Sequence, residues 1–201
     1  MPDLILLRHG ESQWNLENRF TGWVDVPLSP RGEAEARAAG EKLRGRKIDE
    51  LYTSVLVRAT ESARLALEAA GIAQLPTERD AALNERMYGE LQGMNKAEAA
   101  ARFGAEQVKL WRRSYDVKPP GGESLADTAA RVLPYWESHI LPDLQAGKNV
   151  LVVAHGNSLR ALVMHLDRLS REQVIQLEIP TGVPLLYEMA PDGTVRGKRY
   201  L

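Results

Sequence analysis

The chain opens on Leu4-Ile5-Leu6-Leu7, an unbroken apolar run closed soon after by Gly10, and such a run suits a strand covered on both faces. Val150 to Ala154 has the same character and leads into His155-Gly156, much as the first run leads into Arg8-His9-Gly10. Glu50 to Thr53 and Leu185 to Met189 predict two further strands, and Pro191-Asp192-Gly193 marks a turn before a short terminal strand around Val195. Between the strands the pattern becomes helical. Ala34 to Leu43 is rich in alanine and charge, Ala59 to Ala70 carries an apolar stripe that stops at Gly71, Ser124 to Ile140 predicts a longer helix, and Leu159 to Leu166 another. Strands alternating with helices predict an α/β fold, a three-layer sandwich with a mostly parallel central sheet flanked by helices. At 201 residues, without repeats or low-complexity tracts, the chain reads as one domain, 1–201, and Lys118 to Gly122 reads as a loop over the site and not a domain boundary.

Parallel strands bring their carboxyl ends to one edge, and ligands of such sheets bind there. His9 and His155 are therefore expected to face one crevice, with the Gly156-Asn157-Ser158 turn offering backbone N–H groups to an anion. One histidine after a strand reads equally well as a surface loop residue. Two in matching glycine-bounded settings weaken that plain explanation.

Charge narrows the partners. Lys plus Arg number 26 and Asp plus Glu 27, so no overall basic field recommends nucleic acid or an anionic membrane, and anion binding must come from local clustering. With no cysteine there is no disulfide framework, no thiolate chemistry and no cysteine metal site, in keeping with a cytoplasmic enzyme. His9, His139, His155 and His165 lack compact ligand spacing, which argues against structural zinc. Arg8 interrupts the first apolar run where a signal peptide would continue, and no later run is long enough to cross a bilayer.

Arg8, Arg19, Arg58, Arg112 and Arg113 stand mostly at strand ends or in loops, and several guanidinium forks around one crevice would make a phosphate site in a neutral protein. Arg112-Arg113 has a plainer reading as a solvated charge run stacked near Trp111. Neutral imidazole is nucleophilic near neutral pH. His9 needs one ring nitrogen committed to a carbonyl, which the turn at Gly10 is placed to supply. The same chemistry needs a carboxylate to take and return a hydroxyl proton; Glu85, in a loop-like segment, is one candidate and Glu11 the other.

Arg8-His9-Gly10-Glu11 resembles the signature of the histidine phosphatase superfamily. The longer run through Ser12, Trp14, Asn15, Asn18 to Trp23, Asp25-Val26 and Leu28-Ser29 resembles its bisphosphoglycerate-dependent phosphoglycerate mutase branch. The likeness continues through Tyr52 to Ser54, Arg58-Ala59, Leu83 to Arg86, Tyr88-Gly89, Lys96, Trp111 to Asp116, Gly122 to Leu125, Ala154 to Arg160 and Ile179 to Pro184. It implies that His9 is the phosphorylated nucleophile and Glu85 the proton donor and acceptor. His155 with Arg8, Arg58, Asn157 and Gly156 would complete the phosphate pocket, and Asn15, Thr21, Gly22, Tyr88, Lys96, Arg112 and Arg113 would hold the rest of the substrate. The branch interconverts 3-phosphoglycerate and 2-phosphoglycerate, is primed by 2,3-bisphosphoglycerate and uses no metal.

The expected partners are accordingly small phosphorylated three-carbon acids, with no nucleic acid and no membrane, and the chain is expected as a monomer or small homo-oligomer. Two features depart from many members: a shorter segment between Tyr115 and Glu123, and little chain beyond the strand around Tyr187. A phosphatase of the same superfamily would keep Arg8, His9, Arg58 and His155, with less need of Asn18 to Trp23, Lys96 and Arg112-Arg113, and a bisphosphoglycerate mutase is a narrower alternative. A noncatalytic phosphoprotein-binding module would need neither His9 nor Glu85.

Overall fold

The computed structural model describes residues 1–201. In chain order the elements are β1 (Asp3–Arg8), α1 (Gln13–Leu16), α2 (Pro30–Leu43), β2 (Glu50–Thr53), α3 (Val57–Ala70), β3 (Thr77–Arg79), α4 (Lys96–Phe103), α5 (Ala105–Arg113), α6 (Leu125–Tyr135), α7 (Leu141–Gln145), β4 (Val150–Ala154), α8 (Gly156–Asp167), α9 (Arg171–Ile175), β5 (Leu185–Met189) and β6 (Val195–Tyr200). The strands form one sheet in the order β3-β2-β4-β1-β5-β6. The first four are mutually parallel, and β5 runs antiparallel to both of its neighbours, so the sheet is mixed with a single reversed strand.

The apolar runs of β1 and β4 are continuous because helices cover both faces. Leu4, Leu6, Val150, Val152 and Ala154 face one core shared with Val132, Trp136, Leu159 and Leu162. Ile5, Leu7, Leu151 and Val153 face the other, with Ala39, Leu43, Ala63 and Ala66 of α2 and α3. The α2–α3 packing is close: a Cβ on Gly40 would stand 2.1 Å from the Ala66 carbonyl oxygen.

Helix α2 starts at Pro30 and not at Ala34, because the Ser29 hydroxyl accepts from Gly32 N–H and proline is tolerated in the first turn. Likewise α8 begins at Gly156, so the expected turn before Leu159 is the first turn of the helix itself. The long helix expected over 124–140 runs as α6 to Tyr135 and then widens into a five-residue π turn, Trp136–Ile140. Pro134 supplies the cause: it has no N–H for the preceding turn, and its own carbonyl accepts from Ser138 Oγ at 2.8 Å. No helix is long and apolar enough to cross a membrane.

Candidate active site

Register brings the two histidines together. Arg8 pairs with Ala154 across β1 and β4, His9 N–H donates to the Ala154 carbonyl at 3.0 Å, and the next residue of each strand is a histidine. The rings meet edge to face with centroids 4.9 Å apart. His9 Nδ1 lies 2.6 Å from the Gly10 carbonyl, the partner expected from the sequence. A carbonyl only accepts, so Nδ1 carries the proton and the Nε2 lone pair is free. Burial, then the Arg58 and Arg8 guanidiniums, hold His9 well below the usual imidazole range, so the ring is neutral at pH 7.

Glycine and serine fix this corner. Gly10 N–H donates to Ser62 Oγ at 3.0 Å, and a Cβ on Gly10 would come within 2.1 Å of the Gly32 carbonyl oxygen. His155 is fully buried behind His9 and does not itself line the crevice surface. Its Nε2 is 2.7 Å from Ser54 Oγ, while its Nδ1 and Arg8 Nε are buried polar atoms without a protein partner. Buried polar atoms without partners are costly, and the two belong to the residue next to His9 in the chain and to the ring packed against it. Arg58, the second residue of α3, is 1% exposed and donates to the Gly22 and Val24 carbonyls at 2.6 and 2.9 Å; burial pushes it down to about 10, still charged.

Arg8, His9 and Arg58, backed by the buried His155, form the floor of a crevice of about 220 Å³. Its walls carry every other candidate read from the sequence: Asn15, Thr21, Gly22, Glu85, Tyr88, Lys96, Arg112, Arg113, Gly156 and Asn157. Asn15 Oδ1 accepts from Ser12 N–H in a capping box, which leaves its amide N–H groups for the crevice. Gly22 has φ 57°, and a Cβ there would meet Gln92 Oε1 at 2.1 Å. Glu85 Oε1 accepts from the backbone N–H groups of Arg86 and Asn157 at 2.8 and 3.1 Å, leaving Oε2 without a protein donor. Glu11, the competing carboxylate, is turned to Ser29 Oγ and does not line the crevice, so geometry favours Glu85. Arg112 and Arg113 face the crevice from the end of α5, whereas the Trp111 indole packs on Phe103.

The loop Lys118 to Gly122 does not cover the site as expected. Its Pro120 carbonyl accepts from Glu90 N–H and it packs behind the Tyr88–Glu90 turn, where Gly89, at φ 57°, leaves no room for a Cβ. The crevice also includes Arg19, one of the arginines expected around it, and Phe20, Arg160, Glu178 and Ile179, to which no role was given from sequence. Arg160 lies one helical turn beyond Asn157, a spacing that could have revealed it; Glu178 carries no such signal. With seven cationic side chains against two carboxylates the crevice suits a strongly anionic ligand, although the whole chain is nearly neutral. Nowhere do three or more His, Cys, Asp or Glu side chains gather in a way that could hold a metal ion.

The model of the histidine phosphatase superfamily (branch 1) matches residues 4–195. A 2,3-bisphosphoglycerate-dependent phosphoglycerate mutase from Zymomonas mobilis is 52% identical, with 100% of this chain and 99% of that protein covered. A protein of the same name from Methylobacterium radiotolerans is 58% identical, with 98% and 94% covered. Among solved structures, a mycobacterial glucosyl-3-phosphoglycerate phosphatase complexed with VO3 is similar at TM-score 0.84 and 28% identity, covering 100% of this chain and 97% of that one. The α-ribazole phosphatase from Shigella flexneri is similar at TM-score 0.81 and 26% identity, covering 96% and 94%.

Proposed function

The chain belongs to the histidine phosphatase superfamily, and we propose on that basis that it interconverts 3-phosphoglycerate and 2-phosphoglycerate through a phosphohistidine at His9. The observation that carries the reading is the committed Nδ1 of His9, which leaves Nε2 free in a corner where the packed His155 ring and the neighbouring Arg8 each hold a buried polar atom without a protein partner, Nδ1 and Nε. A tetrahedral phosphoryl group fits that combination of nucleophile and waiting donors.

In the proposed cycle, 2,3-bisphosphoglycerate supplies the phosphoryl group that charges His9. His9 Nε2 then gives up its phosphorus to the C2 oxygen of 3-phosphoglycerate; the N–P bond breaks, the O–P bond forms, and the hydroxyl proton passes to Glu85. After the bisphosphate turns over in the crevice, His9 Nε2 takes the C3 phosphoryl group and Glu85 returns its proton to the departing oxygen. 2-Phosphoglycerate leaves and His9 stays charged. Ser54 donating to His155 Nε2 would leave the proton on Nδ1, aimed at the transferring oxygens, with Arg8 and Arg58 opposing their charge. The start of α8 adds a helix N-terminus at Gly156 and Asn157. Lys96, Arg112 and Arg113 would grip the carboxylate and distal phosphate, which favours a phosphoglycerate over water as acceptor.

Time-resolved phosphorus NMR of 3-phosphoglycerate, with a chelator present, tests this. 2-Phosphoglycerate should form only after 2,3-bisphosphoglycerate is added. Release of mainly inorganic phosphate would replace the mutase with a phosphatase, and chelator-sensitive turnover would overturn a metal-free cycle.

A further inference from the structure

Glu85 rides on a loop, unlike His9 and His155 at strand ends, and α6 reaches across to hold that loop. Arg131 of α6 does not line the crevice. Its Nη1 donates to the carbonyls of Ala81, Ala82 and Asn84 at 3.3, 2.7 and 3.0 Å, and its Nη2 donates to the Glu85 carbonyl at 2.8 Å. The same guanidinium grips Glu123 through Nε and Nη2 at 2.9 and 3.0 Å. Trp23 Nε1 donates to the Glu85 carbonyl from another side at 2.6 Å, and the Arg131 guanidinium lies 5.4 Å over the Trp23 ring. Glu123 Oε1 also accepts from Met87 N–H, and the Glu123 N–H donates to the Met87 carbonyl. One ion pair thus clamps the chain from Ala81 to Met87.

Only a guanidinium can do this. It presents five N–H groups in a plane, which reach four carbonyls and a bidentate carboxylate with one Nη1 N–H shared between two carbonyls, whereas an ammonium concentrates three donors on one atom. The Arg131 and Glu123 side chains are 20% and 19% exposed, so water is a poor substitute for a lost contact.

We propose that Arg131 is a positioning residue for proton transfer: by fixing the Glu85 backbone, it keeps the unpartnered Oε2 facing the phosphoryl group held at His9. The role rests on the reading of Glu85 as proton carrier. Proton transfer is sensitive to displacement, while the cations that capture substrate sit on other elements. Loosening the loop should therefore lower kcat and spare KM.

The experiment compares Arg131→Lys, Glu85→Gln and the double variant in primed turnover of 3-phosphoglycerate, with thermal unfolding of each. Arg131→Lys should fold and lose on the order of 100-fold in kcat, with KM held within about twofold. In the Glu85→Gln background the same change should cost less than about threefold, because the group it positions is already gone. Glu123→Gln, which keeps the guanidinium but weakens its anchor, should repeat the pattern in milder form and serves if Arg131→Lys does not fold. Full multiplication of the two losses, or a defect confined to KM, overturns the role. Glu85→Gln with undiminished turnover removes the proton-carrier reading itself. A Glu85→Gln defect beside an unimpaired Arg131→Lys sinks only the proposal for Arg131.

Discussion

The floor and the mouth of the crevice are both cationic, but they are built differently. At the floor, His9, His155 and Arg58 are 2%, 0% and 1% exposed, and each is tied to a fixed group: the Gly10 carbonyl, the Ser54 hydroxyl, and the Gly22 and Val24 carbonyls. At the mouth, Arg113 has a side chain 40% exposed and meets Glu178, itself 75% exposed, at 3.3 Å. Charges at the floor act where water does not screen them, and their geometry is set before substrate arrives. Exposed ones at the mouth, such as Arg113, are screened by water, suited to capture and orientation. Substitutions at the floor should therefore lower kcat, and substitutions at the mouth should move KM.

The sharpest test removes the nucleophile. His9→Ala should lose on the order of 10⁵-fold in kcat, and incubation with 2,3-bisphosphoglycerate should leave no acid-labile phosphate on the variant. Retained turnover would end the assignment of His9. Arg58→Lys comes next, because one ammonium cannot serve both the Gly22 and Val24 carbonyls while facing a phosphoryl group. It should cost on the order of 100-fold in kcat and about 1–3 kcal/mol of stability for the carbonyl left unserved. If steady-state kinetics gave a change in KM alone, the floor and mouth would not differ in kind.

The floor was also the part legible in the sequence. A fully covered strand must be apolar throughout, so β1 and β4 announced themselves, and the residues just after them fell at one edge by the geometry of parallel pairing. The Gly10 carbonyl followed from the same turn. The mouth was harder to read. Lys96 opens α4 and Arg113 closes α5, and local pattern left Arg112-Arg113 divided between a solvated face and a binding role until the folded chain carried them to the crevice. Only the resemblance assigned them to substrate. Glu178 and Arg131 act through partners 65 and 46 residues away in sequence, Arg113 for one and Glu85 for the other, and no local spacing encodes such pairs. The loop at 118–122 misled because proline and glycine signal a turn without saying which side of the Tyr88 segment it packs on.

A smaller effect probes the mouth through pH. Burial, then Arg112 and Arg8, push Lys96 down to about 8 in the free protein. Above that pH it loses its proton and with it one attraction for an anionic substrate. The KM for 3-phosphoglycerate should rise between pH 7 and 9 by roughly fivefold, the worth of about 1 kcal/mol for a partly screened charge. Arg stays protonated throughout this range, so Lys96→Arg should flatten the rise while kcat keeps its own pH profile. A KM that climbs equally in both proteins would place the titrating group elsewhere.

The smallest effect is expected where the mouth carries its own competitor. Glu178 offers Arg113 a carboxylate at 3.3 Å, the same kind of partner that an incoming phosphoglycerate brings, so binding must displace it. Both side chains are well exposed, and such pairs contribute little, about 0–1 kcal/mol. Glu178→Gln should lower KM by no more than about fivefold at low ionic strength, with kcat unchanged, and the gain should fade as added salt shortens the range of every charge at the mouth. A change in kcat would tie Glu178 to the floor, and a KM indifferent to the substitution at low salt would mean that Arg113 is free to meet substrate whether or not Glu178 is beside it.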